Sequence, residues 1–291
     1  MPSLSGSAVP GPVAELRSSV PPQEDAPAAA ICVSGVAVVR DGRPLLEDVG
    51  WCVTRGERWV VIGPNGCGKT TLLQVVGARL WPTSGVVDIL GERLGKVDMR
   101  ALRARIALVS ASVVRQLRPE LTAREVVVTG KTGSLVPWWD RFDDEDWALA
   151  DRLLEDAGVG GARGIGDRPL RVLSEGERQH VLLSRALMGK PELVLMDEPA
   201  AGLDLGARER LVVRLARLMG DPEVPPLVLV THHLEEIPPG ATHCLLMRAG
   251  RIVAAGPITE VLDNDKVSAC FGISVQVGCE DGRWWSRAET R

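Results

Sequence analysis

Three short stretches hold residues whose types and spacing could handle a polyphosphate. Gly63-Pro64-Asn65-Gly66-Cys67-Gly68-Lys69-Thr70-Thr71 fills every fixed position of the pattern G-x-x-x-x-G-K-[ST]. In such a loop the glycines let several backbone N–H groups point at a β-phosphate, and the first turn of the next helix adds its positive dipole end. Lys69 would reach the β- and γ-phosphates as a point charge, and Thr70 would set its hydroxyl on Mg²⁺. Asp197-Glu198 follows the stretch Glu192 to Met196, apolar without a break from Leu193 on, the pattern of a strand buried on both faces. Acids at the carboxyl end of such a strand stand where an open α/β sheet does its chemistry. Asp197 can bind Mg²⁺ through Thr70 or water, and Glu198 can orient and deprotonate an attacking water. Thr231-His232-His233 ends another apolar run, Leu227 to Val230; strand alternation predicts that only one of the two imidazoles faces Asp197.

The elements that must position these groups are legible around them. Trp59 to Ile62 reads as a buried strand entering the loop, and Thr70 to Leu80 as the helix leaving it, with Leu72, Leu73, Val76 and Leu80 at helical spacing and Pro82 as its stop. Upstream, Ala30 to Arg40 and Leu45 to Val53 flank the turn signal Asp41-Gly42, which predicts an antiparallel β layer. Gly85 to Leu90 and Ile106 to Ser110 read as strands and Met99 to Arg105 as a helix, an alternation typical of parallel nucleotide-binding sheets. Arg100, Arg103 and Arg105 read as a solvated helix face.

From about residue 112 to 187 the pattern turns helical. Thr122-x-x-Glu125 marks one helix start, and Asp143 to Ala157 carries Trp147, Leu149, Leu153 and Leu154 on one face. Between them, Trp138 and Trp139 either present a docking surface or anchor their own loop. A second Gly-Lys-Thr triplet, residues 130–132, has Glu125 where a phosphate loop needs its first glycine, so it is not one.

Composition bounds the remainder. The chain of 291 residues is 45% hydrophobic and 25% charged, with a net charge of −4, which argues against a dominant nucleic-acid or anionic-membrane surface. No apolar stretch approaches the roughly 18 residues that span a bilayer. The first residues, 1–29, read as a disordered Pro/Ala-rich tail without a secretory apolar core. Six cysteines without zinc or C-x-x-C spacing read as reduced thiols of a cytosolic protein. Cys67 lies at a helix N-terminus, which would lower its pKa and make oxidation a block to nucleotide binding; the alternative is an inert small residue. Residues 266–291, with Asp281-Gly282 between β-like runs, read as a small β extension.

Leu173-Ser174-Glu175-Gly176-Glu177-Arg178-Gln179 completes an ordered set of motifs. Ser174 and Glu177 form an S-x-x-E capping box, which by itself stabilises a helix by about 0.5–2 kcal/mol. With the phosphate loop, Asp197-Glu198 and His232, the stretch resembles the ATP-binding cassette (ABC) ATPases of membrane transporters over roughly residues 30–265. The resemblance implies an α/β fold, a P-loop NTPase core with an antiparallel β layer and an inserted α-helical subdomain. It also implies that Leu173 to Glu177 is the ABC signature, that Ala201 to Asp204 is the D-loop, and that Asp197 is the Mg²⁺ ligand beside Thr70. Lys69, Glu198 and His232 would be the catalytic set. In that family the signature helix of one subunit, here Ser174, Gly176 and Glu177, closes on the γ-phosphate held by residues 63–71 of another, so two chains sandwich two ATP molecules head to tail.

Three departures from the family pattern stand out. No aromatic residue occupies the adenine-stacking place near Val39 and Arg40, so Arg40 is the candidate for the base. The strand ending at Ser110 leads into Ala111 and Ser112 rather than a glutamine. Glu175 and Glu177 stand where Gly and Gln are commonest, and Glu177 should turn back onto its cap. The expected protein is a cytoplasmic Mg-dependent ATPase subunit that meets the inner face of the cell membrane through a separate permease and binds no nucleic acid directly. The rivals are a soluble ABC ATPase of repair or translation and a regulatory protein that binds ATP without turnover.

Overall fold

A computed structural model describes residues 29–110, 113, 116–157 and 164–289. The tail read at 1–29 and the Ala111-Ser112 departure fall, Ala29 apart, outside the described residues. Among the described residues the strands form three sheets.

The first is antiparallel. β1 (Ala29–Arg40) and β2 (Arg43–Thr54) pair through a two-residue turn whose Asp41 and Gly42 both take positive φ, the requirement of a type I′ hairpin. β4 (Ser84–Ile89) pairs antiparallel with the other edge of β1 and carries the short β5 (Glu92–Arg93). The alternation that suggested a parallel strand at β4 is therefore corrected: the strand belongs to the antiparallel layer. Cys32 and Cys52 are direct partners across β1 and β2 and are joined as a disulfide. That overturns the reading of all six cysteines as reduced; Cys67, Cys244, Cys270 and Cys279 are free thiols.

The second sheet orders its strands β10-β9-β3-β8-β7-β6, with β3 (Arg58–Ile62), β6 (Ile106–Val109), β7 (Leu193–Asp197), β8 (Leu227–Thr231) and β9 (His243–Arg248) parallel. β10 (Arg251–Pro257) closes the edge antiparallel to β9. Both faces are covered, and alternation divides each central strand between two cores. Val60, Ile62, Val194, Met196, Leu227 and Leu229 pack toward α3 (Ala123–Val128), α5 (Glu175–Met188) and α6 (Leu205–Gly220). Trp59, Val61, Leu193, Leu195, Val228 and Val230 pack toward α1 (Lys69–Val76) and the antiparallel layer.

α1 is shorter than its apolar spacing suggests. Gly77 caps it, Ala78 takes φ 55°, and the N–H groups of Arg79 and Leu80 both return to Gln74 O, so the helix ends before Leu80 and Pro82 has no part in stopping it. α2 (Met99–Ala104) starts on the Asp98 cap. Its arginines are not simply solvated: Arg103 Nε donates to Ala78 O at 2.7 Å, and Arg105 pairs with Glu192 at 2.6 Å.

In the helical insertion, Thr122–Glu125 and Asp143–Asp146 form reciprocal capping boxes that start α3 and α4 (Asp144–Asp156). The Gly130-Lys131-Thr132 decoy is a packing device. A Cβ at Gly130 would lie 1.9 Å from Arg185 O, so only glycine lets this turn touch α5, while Lys131 reaches Asp146 at 2.6 Å. Trp138 is 58% exposed with the Arg118 guanidinium 4.8 Å from its ring, so it does not anchor its loop in the core. After β10 come α7 (Ile258–Val261), α8 (Asn264–Phe271) and the expected terminal hairpin, β11 (Val275–Glu280) with β12 (Arg283–Ala288).

Candidate functional site

The phosphate loop turns because it is clear of side chains where the chain crosses itself. A Cβ on Gly63 would sit 2.2 Å from Met247 O, and Gly68, at φ 109°, caps α1 in the left-handed region. Lys69 is 4% exposed; its Nζ donates to Gly63 O at 2.8 Å and Pro64 O at 3.2 Å and lies 3.5 Å from Glu198 Oε1. Cys67 is buried under the loop, and its carbonyl accepts from Gly250 N. Burial pushes its thiol pKa up, and the opposing field of Lys69 does not reverse this. The expectation of an acidified, oxidation-prone thiol is thereby corrected.

β7 delivers Asp197 beside the loop, where Thr70 Oγ1 donates to Asp197 Oδ1 at 3.1 Å. Burial raises the Asp197 pKa, and the neighbouring Glu198 adds to this against the Thr70 hydrogen bond and Lys69. A half-buried carboxylate whose charge is disfavoured, next to a hydroxyl oxygen, is a donor pair that suits a hard divalent cation completing its shell with water and phosphate oxygens. Glu198 takes φ 47°, uncommon for a residue with a Cβ. Its N–H bonds Val230 O and its carbonyl accepts from Ala201 N, which hold that conformation and swing the side chain off the strand line.

β8 ends at Thr231, and His232 Nδ1 lies 3.3 Å from Glu198 Oε1. His233 does not point away as strand alternation predicts; its ring centroid is 4.1 Å from that of His232, and both line a cavity of about 200 Å³ with Glu198. The chain has left the extended conformation by then, turning into the 3₁₀ segment Leu234–Glu236, so the period of two no longer applies. Of the two, it is His232 that contacts Glu198.

Lys69, Thr70, Asp197, Glu198 and His232 thus converge at the carboxyl ends of β3, β7 and β8. Two cavities flank the loop. One, about 600 Å³, is lined by Asn65, Gly66, Thr70, Asp197 and Glu198 among others. The other, about 460 Å³, is lined by the loop, Pro44, Leu45 and Gly250. Arg40, exposed at the end of β1, lines neither, and the walls next to it are Pro44 and Leu45, which no sequence pattern marked.

Ser174, Gly176 and Glu177 line neither cavity. Ser174 Oγ accepts from Glu177 N, and Glu177 turns back to Ser174 N at 2.7 Å and to Arg168 at 2.9 Å, as its cap requires. Gly176 has a role the sequence did not suggest: a Cβ there would lie 2.8 Å from Ala207 Cβ, so it lets α5 seat against α6.

A phosphate loop, an acid bonded to the loop threonine, a second acid and a histidine on one parallel sheet edge, with a helical insertion bearing a capped helix, define a nucleoside triphosphatase cassette. Residues 46–201 match the ABC transporter family, and the chain belongs to it. It is 37% identical to the ABC transporter ATP-binding protein YlmA of Bacillus subtilis (strain 168), over 88% of this chain and 97% of that protein. It is 34% identical to the hemin import ATP-binding protein HmuV of Rhodococcus jostii (strain RHA1), over 89% and 85%. The fold superposes on the dimeric, post-hydrolysis ATP-binding cassette MJ0796 bound to ADP and Pi with a TM-score of 0.68 at 24% identity, covering 78% of this chain and 98% of that one. The protein is an ATP-hydrolysing subunit of an ABC transporter, and neither the nucleic-acid nor the non-hydrolysing alternative stands.

Proposed function

We propose that two copies of this chain, or this chain and a homologous subunit, close head to tail on two Mg·ATP and drive a separate transmembrane permease. The carrying observation is the convergence of Lys69, Thr70, Asp197, Glu198 and His232 at one sheet edge. Loop N–H groups from Gly63, Asn65, Gly66, Cys67 and Gly68, with Lys69 and Thr71, seat the phosphates, while Pro64, which has no N–H, contributes only to the shape of the loop. Thr70 and Asp197 would hold Mg²⁺, which supplies charge neutralisation at the transferring phosphoryl group. Glu198 accepts the proton of the attacking water, and His232, at hydrogen-bonding distance, holds that carboxylate toward the γ-phosphate. The adenine is assigned to the wall formed by Pro44 and Leu45 in place of Arg40, which lines neither cavity.

Because the signature helix N-terminus lies outside the loop's own cavities, its exposed N–H groups are assigned to the nucleotide of the second subunit. The permease is assigned to the cleft of about 290 Å³ between α2, β6 and the helical insertion, lined by Arg79, Arg103, Lys131 and Arg185. Among the described residues no helix is long and apolar enough to cross a membrane. The attachment assigned to the chain is through the permease, on the cytoplasmic side. Import, the direction in the Rhodococcus relative's name, is the direction assigned here.

Steady-state phosphate release by the full chain tests the proposal. Turnover that EDTA and Lys69→Ala each abolish is expected; turnover independent of Mg²⁺ or of Lys69 contradicts it.

A further inference from the structure

The terminal hairpin lies outside the residues matched to the family, yet it is tied to the segment that carries His232. Arg283 makes a two-pronged ion pair with Glu209, Nη1 to Oε2 at 2.7 Å and Nη2 to Oε1 at 3.1 Å. The same Nη2 donates to Glu235 O at 3.1 Å. Three positions further along β12, Ser286 N donates to Glu235 Oε1 at 3.1 Å, and its hydroxyl lies 3.4 Å from the same oxygen. Arg283 therefore bridges two elements that start at the reaction centre. Glu209 stands in the second turn of α6, which opens directly after the D-loop on the Asp204 cap. Glu235 is the middle residue of the 3₁₀ turn that begins two residues after His232.

On its core side the segment is held by Leu234 and Ile237, both buried, which leaves its outer side to the hairpin. β8 ends at Thr231, so His232 and His233 lie between a strand end and a single 3₁₀ turn. From inside, Thr231 Oγ1 bonds Glu236 and accepts from His233 N. From outside, the hairpin holds Glu235 by backbone and side chain. Its own register is pinned: Asp281 and Gly282 both take positive φ at the turn, and Trp285 lies across Gly278, where a Cβ would come within 2.2 Å of the indole. A two-pronged arginine pair fixes orientation as well as distance.

We propose that the β11–β12 hairpin is a positioning clamp for hydrolysis: Arg283 and Ser286 hold the Leu234–Glu236 turn against α6, and so set the His232 imidazole on Glu198. The inference rests on the assignment of His232 and Glu198 to the reaction. Arg283 touches neither nucleotide nor water; it acts through Glu235 and Glu209. A clamp of this kind affects the catalytic step and leaves nucleotide binding alone, because the loop at residues 63–71 is held by β3, α1 and β9.

The test is steady-state ATPase activity of the full chain, with nucleotide-binding stoichiometry measured on the same preparations using a fluorescent ATP analogue. Arg283→Ala is expected to lower kcat about tenfold, the scale of a sub-ångström misplacement, with KM within about twofold and stoichiometry unchanged. Arg283→Lys, which keeps the charge but cannot hold Glu209 and Glu235 O together, is expected to stay closer to the alanine variant than to wild type. Should Arg283→Ala not fold, Glu209→Gln carries the same expectation. A kcat within twofold of wild type in a folded variant, while His232→Ala is inactive, overturns the clamp alone. Full turnover in His232→Ala overturns the assignment of His232 and the clamp with it.

Discussion

Asp197 and Glu198 are neighbours in sequence with separate environments. Asp197 is the last residue of β7, drawn inward to Thr70, and burial raises its pKa. Glu198, turned out by its left-handed backbone, reaches Lys69 and His232. One suits a metal ligand and the other a base. Glu198→Gln keeps the shape and removes the base, so hydrolysis is expected to fall by about 10²–10⁴ while ATP binding persists; phosphate release and equilibrium nucleotide titration check the two halves. Cys67 gives a second prediction at this scale. Its buried thiol stays protonated near neutral pH, so brief alkylation at pH 7.5 should label the exposed Cys279 and spare Cys67, read by peptide mass spectrometry, with ATP binding unchanged. The spacing of the loop identified Cys67 as interesting; its burial under Met247 and Gly250 is a tertiary fact that no local pattern carries.

Among the elements, those with strong local signals were readable: the buried β3, β7 and β8, and the capping boxes at Thr122 and Ser174, whereas the box at Asp143, closed by Asp146 in place of Glu or Gln, was not marked. What could not be read is set by contacts between distant segments. β4 looks like any short strand until β1 claims it, and the end of α1 depends on Gly77 and a left-handed Ala78. Arg214 would pass for a solvated charge on α6, yet it is 6% exposed and staples three helices, donating to His180 O at 2.8 Å, Ser184 Oγ at 2.9 Å and Leu153 O at 3.3 Å. It also lies 3.3 Å from His180 Nδ1, which must accept and hence be neutral. Burial, then Arg214 and Arg210, lower the His180 pKa from 6.5 to about 4. Above pH 6.5 folded and unfolded states both hold the ring neutral; between 6.5 and about 4 only the unfolded chain takes the proton, so stability falls as pH falls. The loss amounts to about 3 kcal/mol by pH 4, and His180→Gln should flatten this limb in urea titrations at pH 7 and pH 4.5. Gly130→Ala tests the packing of the insertion directly: overfilling the contact with Arg185 O should destabilise by about 1–3 kcal/mol in thermal melts.

At the scale of the whole molecule, two cores meet on one parallel sheet, and Lys69, Asp197, Glu198 and His232 gather at its carboxyl edge while the signature helix opens elsewhere. Under the proposed function, that separation is what a second copy would make good. The composite site proposed above follows from the family resemblance, and the helix start it uses was marked by its capping box, since capping and anion binding use the same exposed N–H groups of a helix N-terminus. The Cys32–Cys52 pairing was not legible, since it depends on β1–β2 register rather than on cysteine spacing. The clamp formed by the terminal hairpin was equally hidden, because Arg283 meets partners 74 and 48 residues away.

The composite site is tested most directly by light scattering on Glu198→Gln, which should bind Mg·ATP without consuming it. With Mg·ATP the particle should have twice the 31.2 kDa mass of the chain, and with Mg·ADP it should return to a single chain. A Glu198→Gln particle that stays at one chain mass under saturating Mg·ATP, alongside a wild-type monomer that hydrolyses ATP, would contradict the account.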